Sequence, residues 1–88
     1  MEKTTFVGIY AGKCYRRGYG RKLYEKAIRL TNVTDGQGMH FDTTIVTDSK
    51  GFAQFGETDT GTSISFDAVL TNDGRLLYVS NVKKAIVQ

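Results

Sequence analysis

The feature that most constrains the fold of this 88-residue chain is a period-two alternation of apolar and polar side chains. Between residues 63 and 70 it places Ile64, Phe66, Ala68 and Leu70 on one face of an extended segment. Because successive side chains of a β-strand point to opposite faces, the pattern predicts a strand with one face in the core. Ten glycines and no prolines favour tight turns between such strands. We therefore expect a small all-β protein.

Four further segments are predicted to be strands. Residues 22–33 could also pass for a helix, but they lack an N-cap, and a strand with Ile28 and Leu30 inward is favoured. Hairpin turns are predicted at residues 35–38 and 72–74. The remaining predicted strands are residues 4–13, with Tyr10 in the core, residues 39–47, with Phe41, Thr43 and Ile45 on one face, and residues 75–87, with a bulge at Ser80 and Asn81 and with Leu77, Val79, Val82 and Ile86 as core residues.

The connection between the third and fourth predicted strands is polar and contains several glycines. Phe52 and Phe55 lie three residues apart in it. They could sit on one helical turn that plugs the end of a barrel, or in a loop packed by its own aromatic side chains. Five strands with this short connector predict a single domain over residues 1–88, either a small barrel or a half-open sandwich. The barrel is favoured because closure removes exposed sheet edges.

The basic side chains are concentrated in one part of the chain. Seven of the twelve lysines and arginines lie in residues 13–29. Residues 1–29 hold eight basic and two acidic side chains, whereas residues 30–73 hold one basic and seven acidic ones. Such separation favours one positive and one negative face, and the positive face attracts anions. The alternative is that the charges are spread around the barrel and only keep it soluble.

Three tyrosines, Tyr15, Tyr19 and Tyr24, are interleaved with these basic residues. Lysine and arginine neutralise phosphates, and tyrosine rings offer flat faces on which unpaired bases stack. Residues 14–21 also contain two glycines and are predicted to form a loop. This composition is typical of a surface that binds single-stranded nucleic acid. In the alternative interpretation the tyrosines cover the barrel wall, and the arginines are solvated surface charges.

The order of elements resembles the oligonucleotide/oligosaccharide-binding fold (OB-fold) over nearly the whole chain, and the resemblance implies a small five-stranded Greek-key barrel with a short connector between strands three and four. The resemblance rests on residues 61–69, with their Gly–polar–x–apolar–x–Phe–x–Ala–x pattern, and on residues 76–82, followed by two lysines. Compact phage or mobile-element accessory proteins are often similar.

In that fold ligands cross strands two and three, flanked by the loops that join strands one and two and strands four and five. The resemblance thus implies a site at the basic, tyrosine-containing segment, with Tyr78 as a weaker candidate. The candidate nucleic-acid-binding residues are Lys13, Tyr15, Arg16, Arg17, Tyr19, Arg21, Lys22, Tyr24, Lys26 and Arg75.

Catalysis is not expected from this sequence. Cys14 is the only cysteine and His40 the only histidine, and neither belongs to a recognisable nucleophile or metal-ligand spacing. Gly18 and Gly20 lack the setting of a dinucleotide motif, so no cofactor is assigned. With no signal-peptide pattern and no apolar run long enough for a membrane helix, we expect a cytoplasmic protein with no membrane partner.

The first functional hypothesis is a module that binds single-stranded DNA or RNA with little sequence preference, as a monomer or weak homo-oligomer. The second is a protein–protein interaction module, in which the acidic segment docks a basic partner or the barrel takes a peptide. A third is a small ribosome- or RNA-associated protein. The orientation of the tyrosines discriminates among them, because inward-facing rings would favour a protein partner.

Overall fold

The five predicted strands are all present. The computed structural model describes residues 2–17 and 24–85. It contains β1 (Thr4–Arg17), β2 (Tyr24–Thr34), β3 (Phe41–Val46), α1 (Ser49–Ala53), a 3₁₀ helix (Glu57–Asp59), β4 (Ser63–Leu70) and β5 (Leu76–Lys84). The strands form one antiparallel sheet in the order β3-β2-β1-β4-β5. The prediction of an all-β protein is confirmed.

The long strand β1 joins the two halves of the sheet. Its first part pairs with β4, and nearly all of it from Val7 onward pairs with β2. The pairing with β2 shifts register twice, near Gly8 and near Gly12. A Cβ at Gly8 would lie 2.6 Å from Cγ2 of Val33, and Gly12 has a φ of +125°, so both positions require glycine. These irregularities allow β1 to bend from one group of strands to the other.

The alternation locates most of the core. Ile28, Leu30, Ile45, Ile64, Phe66 and Ala68 are buried as predicted, together with Phe6 and Tyr10. The ring of Phe6 stacks on that of Phe66 with centroids 5.5 Å apart. One position is wrong: Leu70 is 38% exposed, whereas its neighbour Val69 is only 5% exposed. The pairing of β4 with β5 shifts register between Asp67 and Val69, which interrupts the alternation at this end of the strand.

Helix α1 and the residues after it cover one end of the sheet. Asp48 caps the helix by accepting a hydrogen bond from Gly51 N at 2.7 Å. Phe55 is 2% exposed and its ring lies 5.2 Å from that of Tyr10. The predicted helical turn is present as α1 and contains Phe52, whereas Phe55 follows it outside the helix. Among the residues that the structure describes, no helix is long and apolar enough to cross a membrane.

Strand β5 is irregular and lies at the edge of the sheet. Val79 and Val82 pack against the core as predicted. The third residue that does so is Leu76, not the predicted Leu77. The bulge predicted at Ser80 and Asn81 is confirmed by a register shift, and Asn81 has a φ of +57°. Tyr78 has the same φ, which the sequence did not predict. The predicted core residue Ile86 lies outside the described residues.

The sheet has two open edges. Strands β3 and β5 approach each other, but within residues 2–17 and 24–85 no backbone pairing joins them. The described chain is thus a compact, five-stranded antiparallel sheet that is not closed by a ladder between β3 and β5. Its dimensions are 39 × 34 × 18 Å.

Candidate nucleic-acid interface

The predicted loop at residues 14–21 is wrong for residues 14–17. These residues continue β1, and the pairing with β2 runs on without a shift to Arg17, opposite Tyr24. Tyrosine and cysteine are compatible with strands, and each residue of this stretch has a backbone partner on β2. The candidate residues Tyr19, Arg21 and Lys22 lie outside the described residues.

Strand alternation divides the candidate residues between two faces of the β1–β2 pair. Directly opposed residues of an antiparallel pair point to the same side, and neighbours along a strand point to opposite sides. One side, the Tyr15 face, carries Lys13, Tyr15 and Arg17 on β1 and Tyr24, Lys26 and Ile28 on β2. The other side, the Arg16 face, carries Cys14 and Arg16 on β1 and Glu25, Ala27 and Arg29 on β2. The predicted site is therefore not one continuous surface.

On the Tyr15 face, a side chain that was not predicted to bind a ligand joins the candidates. The ring of Phe52, from α1, lies 5.6 Å from the ring of Tyr15 at an interplanar angle of 45°. Lys13 Nζ lies 4.7 Å from the Phe52 centroid and Lys26 Nζ lies 5.7 Å from it. Lys26 Nζ also donates a hydrogen bond to Ser49 Oγ at 3.1 Å. We call these four residues, Lys13, Tyr15, Lys26 and Phe52, the aromatic platform.

The described tyrosines of the predicted site are turned toward solvent. Tyr15 is 63% exposed and Tyr24 is 67% exposed, although both lie on the face that continues into the core at Ile28. Tyr10 is the contrasting case: it is buried as predicted, and burial, followed by the nearby charge of Asp59, raises the pKa of its hydroxyl. The exposed rings at residues 15 and 24 are thus available to stack on a ligand, whereas Tyr10 is structural.

Arg16 and Arg75 line one cleft on another part of the surface. They line a cleft of about 560 Å³ between β3 and β5, together with residues 43–46 and 74–79. Arg75 Nε lies 3.2 Å from Asp73 Oδ2, and both side chains are mostly exposed. Arg16 is opposed across the strands by Glu25. Each of these two arginines therefore has an acidic neighbour.

Arg29 belongs to the same side and was missed by the sequence analysis. It is exposed, and lines a second cleft with Thr43 and Thr44, two residues that also line the cleft of Arg16. The sequence could have identified Arg29 as an outward residue, because it lies between the inward residues Ile28 and Leu30 on a predicted strand.

Several acidic side chains of residues 30–73 stabilise local backbone structure. Asp35 accepts a hydrogen bond from Gln37 N at 2.9 Å and Asp42 accepts one from Asn32 N at 3.1 Å. Asp48 caps α1. These carboxylates fix a turn, a strand irregularity and a helix end, as aspartate commonly does.

Three further aspartates have side-chain partners that lower their pKa values. Lys84 Nζ lies 2.8 Å from Asp59 Oδ1, and this contact is the largest cause that lowers the pKa of Asp59 below its ordinary value. The next is the hydrogen bond that Gly56 N donates to Asp59 Oδ2. Hydrogen bonds from Thr5 and Asn81 lower the pKa of Asp67. A hydrogen bond from Thr71, followed by the charge of Arg75, lowers the pKa of Asp73. Six of the seven acids of this segment therefore have local partners.

Comparison of the chain with family models, with curated proteins and with solved structures gave no match. Within residues 2–17 and 24–85, no group of three His, Cys, Asp or Glu side chains is placed to hold a metal ion. The functional interpretation therefore depends on the side chains that the sheet and α1 bring together.

Proposed function

We propose that this chain is a module that binds single-stranded DNA or RNA with low sequence preference, and that the aromatic platform is its main contact surface. The observation that carries the proposal is the exposed ring of Tyr15 beside Phe52, with the ammonium groups of Lys13 and Lys26 at 4.7 and 5.7 Å from the Phe52 centroid. Stacking rings flanked by cations match the repeating unit of a single strand, in which a sugar links a base to a phosphate.

The geometry favours an unpaired strand over a duplex. A base must leave its own stack to lie flat on a tyrosine ring, and single strands allow this at little cost. The ring faces accept any base, so little sequence preference is expected. Tyr24 and Arg17, which face each other at the end of the β1–β2 pair, extend the same surface. By their position in the sequence, Tyr19, Arg21 and Lys22 belong to the proposed site as well.

The strand order supports the finer proposal that the protein is an OB-type barrel with an open seam. In the OB-fold five strands form a partly open Greek-key barrel. The order β3-β2-β1-β4-β5, with β3 and β5 approaching each other across the gap, is consistent with this arrangement.

A protein-binding role through the acidic segment has less support. Six of its seven carboxylates accept hydrogen bonds or form ion pairs within the chain, at Asp35, Asp42, Asp48, Asp59, Asp67 and Asp73. A basic partner would compete with these contacts, several of which fix turns.

Fluorescence anisotropy of labelled oligo-dT and oligo-U, each of about 16 nucleotides, tests the proposal. We expect binding to both at about 50 mM salt, a marked loss at about 200 mM salt, and weaker binding to a duplex. Tyr15→Ala should weaken binding by about 5- to 150-fold, which corresponds to the roughly 1–3 kcal/mol of one stacked base. Tyr15→Phe keeps the ring and should bind like the native protein.

Two results would contradict the proposal. One is the absence of binding to either single strand at low salt. The other is an unchanged affinity of Tyr15→Ala, provided that its circular dichroism spectrum shows a native fold.

A further inference from the structure

Tyr78 has a backbone conformation that its side chain does not favour. Its φ is +57°, in the left-handed region that residues other than glycine, asparagine and aspartate rarely adopt. Core packing does not compensate, because Tyr78 is 71% exposed. Strained residues of this kind tend to occur at functional sites. The combination of strain and an exposed aromatic ring therefore suggests that Tyr78 has a role in binding.

The surroundings of Tyr78 suit an anionic, aromatic ligand. Tyr78 lines the cleft of about 560 Å³ between β3 and β5, and Arg16 and Arg75 line the same cleft. Arg29 lines the adjoining cleft. Glu25 and Asp73 offset part of this charge, yet the ion pair of Asp73 with Arg75 is exposed and a phosphate can exchange for the carboxylate.

We propose that Tyr78 and Arg16 form a second contact site for the same single strand, separate from the aromatic platform. The two contact sites involve opposite faces of the β1–β2 pair, because Arg16 and Tyr15 are adjacent on β1. One strand therefore reaches both only if it is long enough to pass around the protein. Such a two-site arrangement raises the affinity for long strands, because binding at the first site raises the effective concentration at the second.

This inference rests on the proposed function, and a series of oligonucleotide lengths separates the two. An OB-fold typically covers about 4 to 16 nucleotides, and anisotropy with oligo-dT should be measured over this range of lengths. Tyr78→Asn removes the ring and places a residue that tolerates the left-handed conformation. Tyr78→Phe is the matched control, because it keeps the ring.

We expect Tyr78→Asn to weaken binding of the 16-mer at least about 5-fold and that of the 4-mer less than about 2-fold. Tyr78→Phe should match the native protein at both lengths. A 16-mer with 4-thiothymidine near one end should also crosslink to Tyr78 on irradiation, as identified by mass spectrometry.

The outcomes are distinct. If native protein does not bind the 16-mer, the proposed function fails and this inference with it. If the 16-mer binds but its affinity does not change in Tyr78→Asn, the second site is refuted while the platform stands. Equal weakening of both lengths would also refute it, since it would place Tyr78 on the same contact surface as Tyr15.

Discussion

At residue 78, a glycine variant should be more stable than an alanine variant, which is the reverse of the order expected in a regular strand. A left-handed conformation costs an L-residue about 1–2 kcal/mol, and glycine avoids this cost. Glycine loses more backbone freedom on folding, which in a regular strand makes it about 0.5–1 kcal/mol less stable than alanine. At the φ of +57° found for Tyr78, the first effect exceeds the second. Tyr78→Gly should therefore be more stable than Tyr78→Ala by about 0.5–1 kcal/mol.

Lys83 supplies a control on the same strand. It is exposed, opposes Ser65 on β4 and is not among the described residues with a positive φ. Lys83→Ala should therefore be more stable than Lys83→Gly, by about 0.5–1 kcal/mol. Comparing glycine with alanine at each position removes the contribution of the native side chain from the result.

Urea denaturation monitored by circular dichroism measures the difference. With a slope of about 1–3 kcal/mol/M, the midpoints of the two Tyr78 variants should differ by roughly 0.2–1 M, and thermal midpoints by a few degrees. If alanine is the more stable residue at both positions, Tyr78 does not have a left-handed backbone and its strain cannot support the second contact site.

Three further predictions follow from other contacts. Replacing Lys13 and Lys26 together by glutamine should reduce the steepness with which log K for single-strand binding falls against log salt concentration by about 1.4, at roughly 0.7 per phosphate contact. Lys3→Gln is the control and should leave this slope unchanged. An equal slope in the double variant and the native protein would show that the platform lysines do not contact phosphate. Gly8→Ala should lower the free energy of unfolding by about 1–3 kcal/mol, because its Cβ would lie 2.6 Å from a buried valine, and an unchanged urea midpoint would contradict this. The lowered pKa of Asp59 contributes stability that is complete above the unfolded value of about 3.9 and is lost as the pH falls through the folded value. Urea midpoints should thus fall less on acidification in Asp59→Asn than in the native protein, and equal acid dependence would be evidence against the Lys84 contact.

The sequence was sufficient to predict the strands and most of the core. Alternation identified Ile28, Leu30, Ile45, Ile64 and Phe66 as inward residues, and all five are buried. It failed at Leu70, just after the register shift between Asp67 and Val69. The irregular pattern at Ser80 and Asn81 indicated one of the two shifts between β4 and β5, but the shift between Asp67 and Val69 was not predicted.

The candidate site was predicted by composition but not by geometry. Interpreting residues 14–17 as a loop hid the alternation that separates Arg16 from Tyr15, since a loop has no fixed faces. The contribution of Phe52 was also hidden. Its spacing from Phe55 indicated a helical turn, but only the packing of α1 against the sheet directs one ring to the core and the other to Tyr15.

The irregularity of β5 also bears on how copies of this protein behave toward one another at high concentration. A free sheet edge offers unpaired N–H and C=O groups to a second chain, and a long regular edge promotes aggregation. Here β3 has only six residues, and β5 is interrupted by left-handed residues at Tyr78 and Asn81 and ends in two lysines. These features shorten the ladder that an incoming strand could form, so they disfavour edge-to-edge association although the sheet remains open.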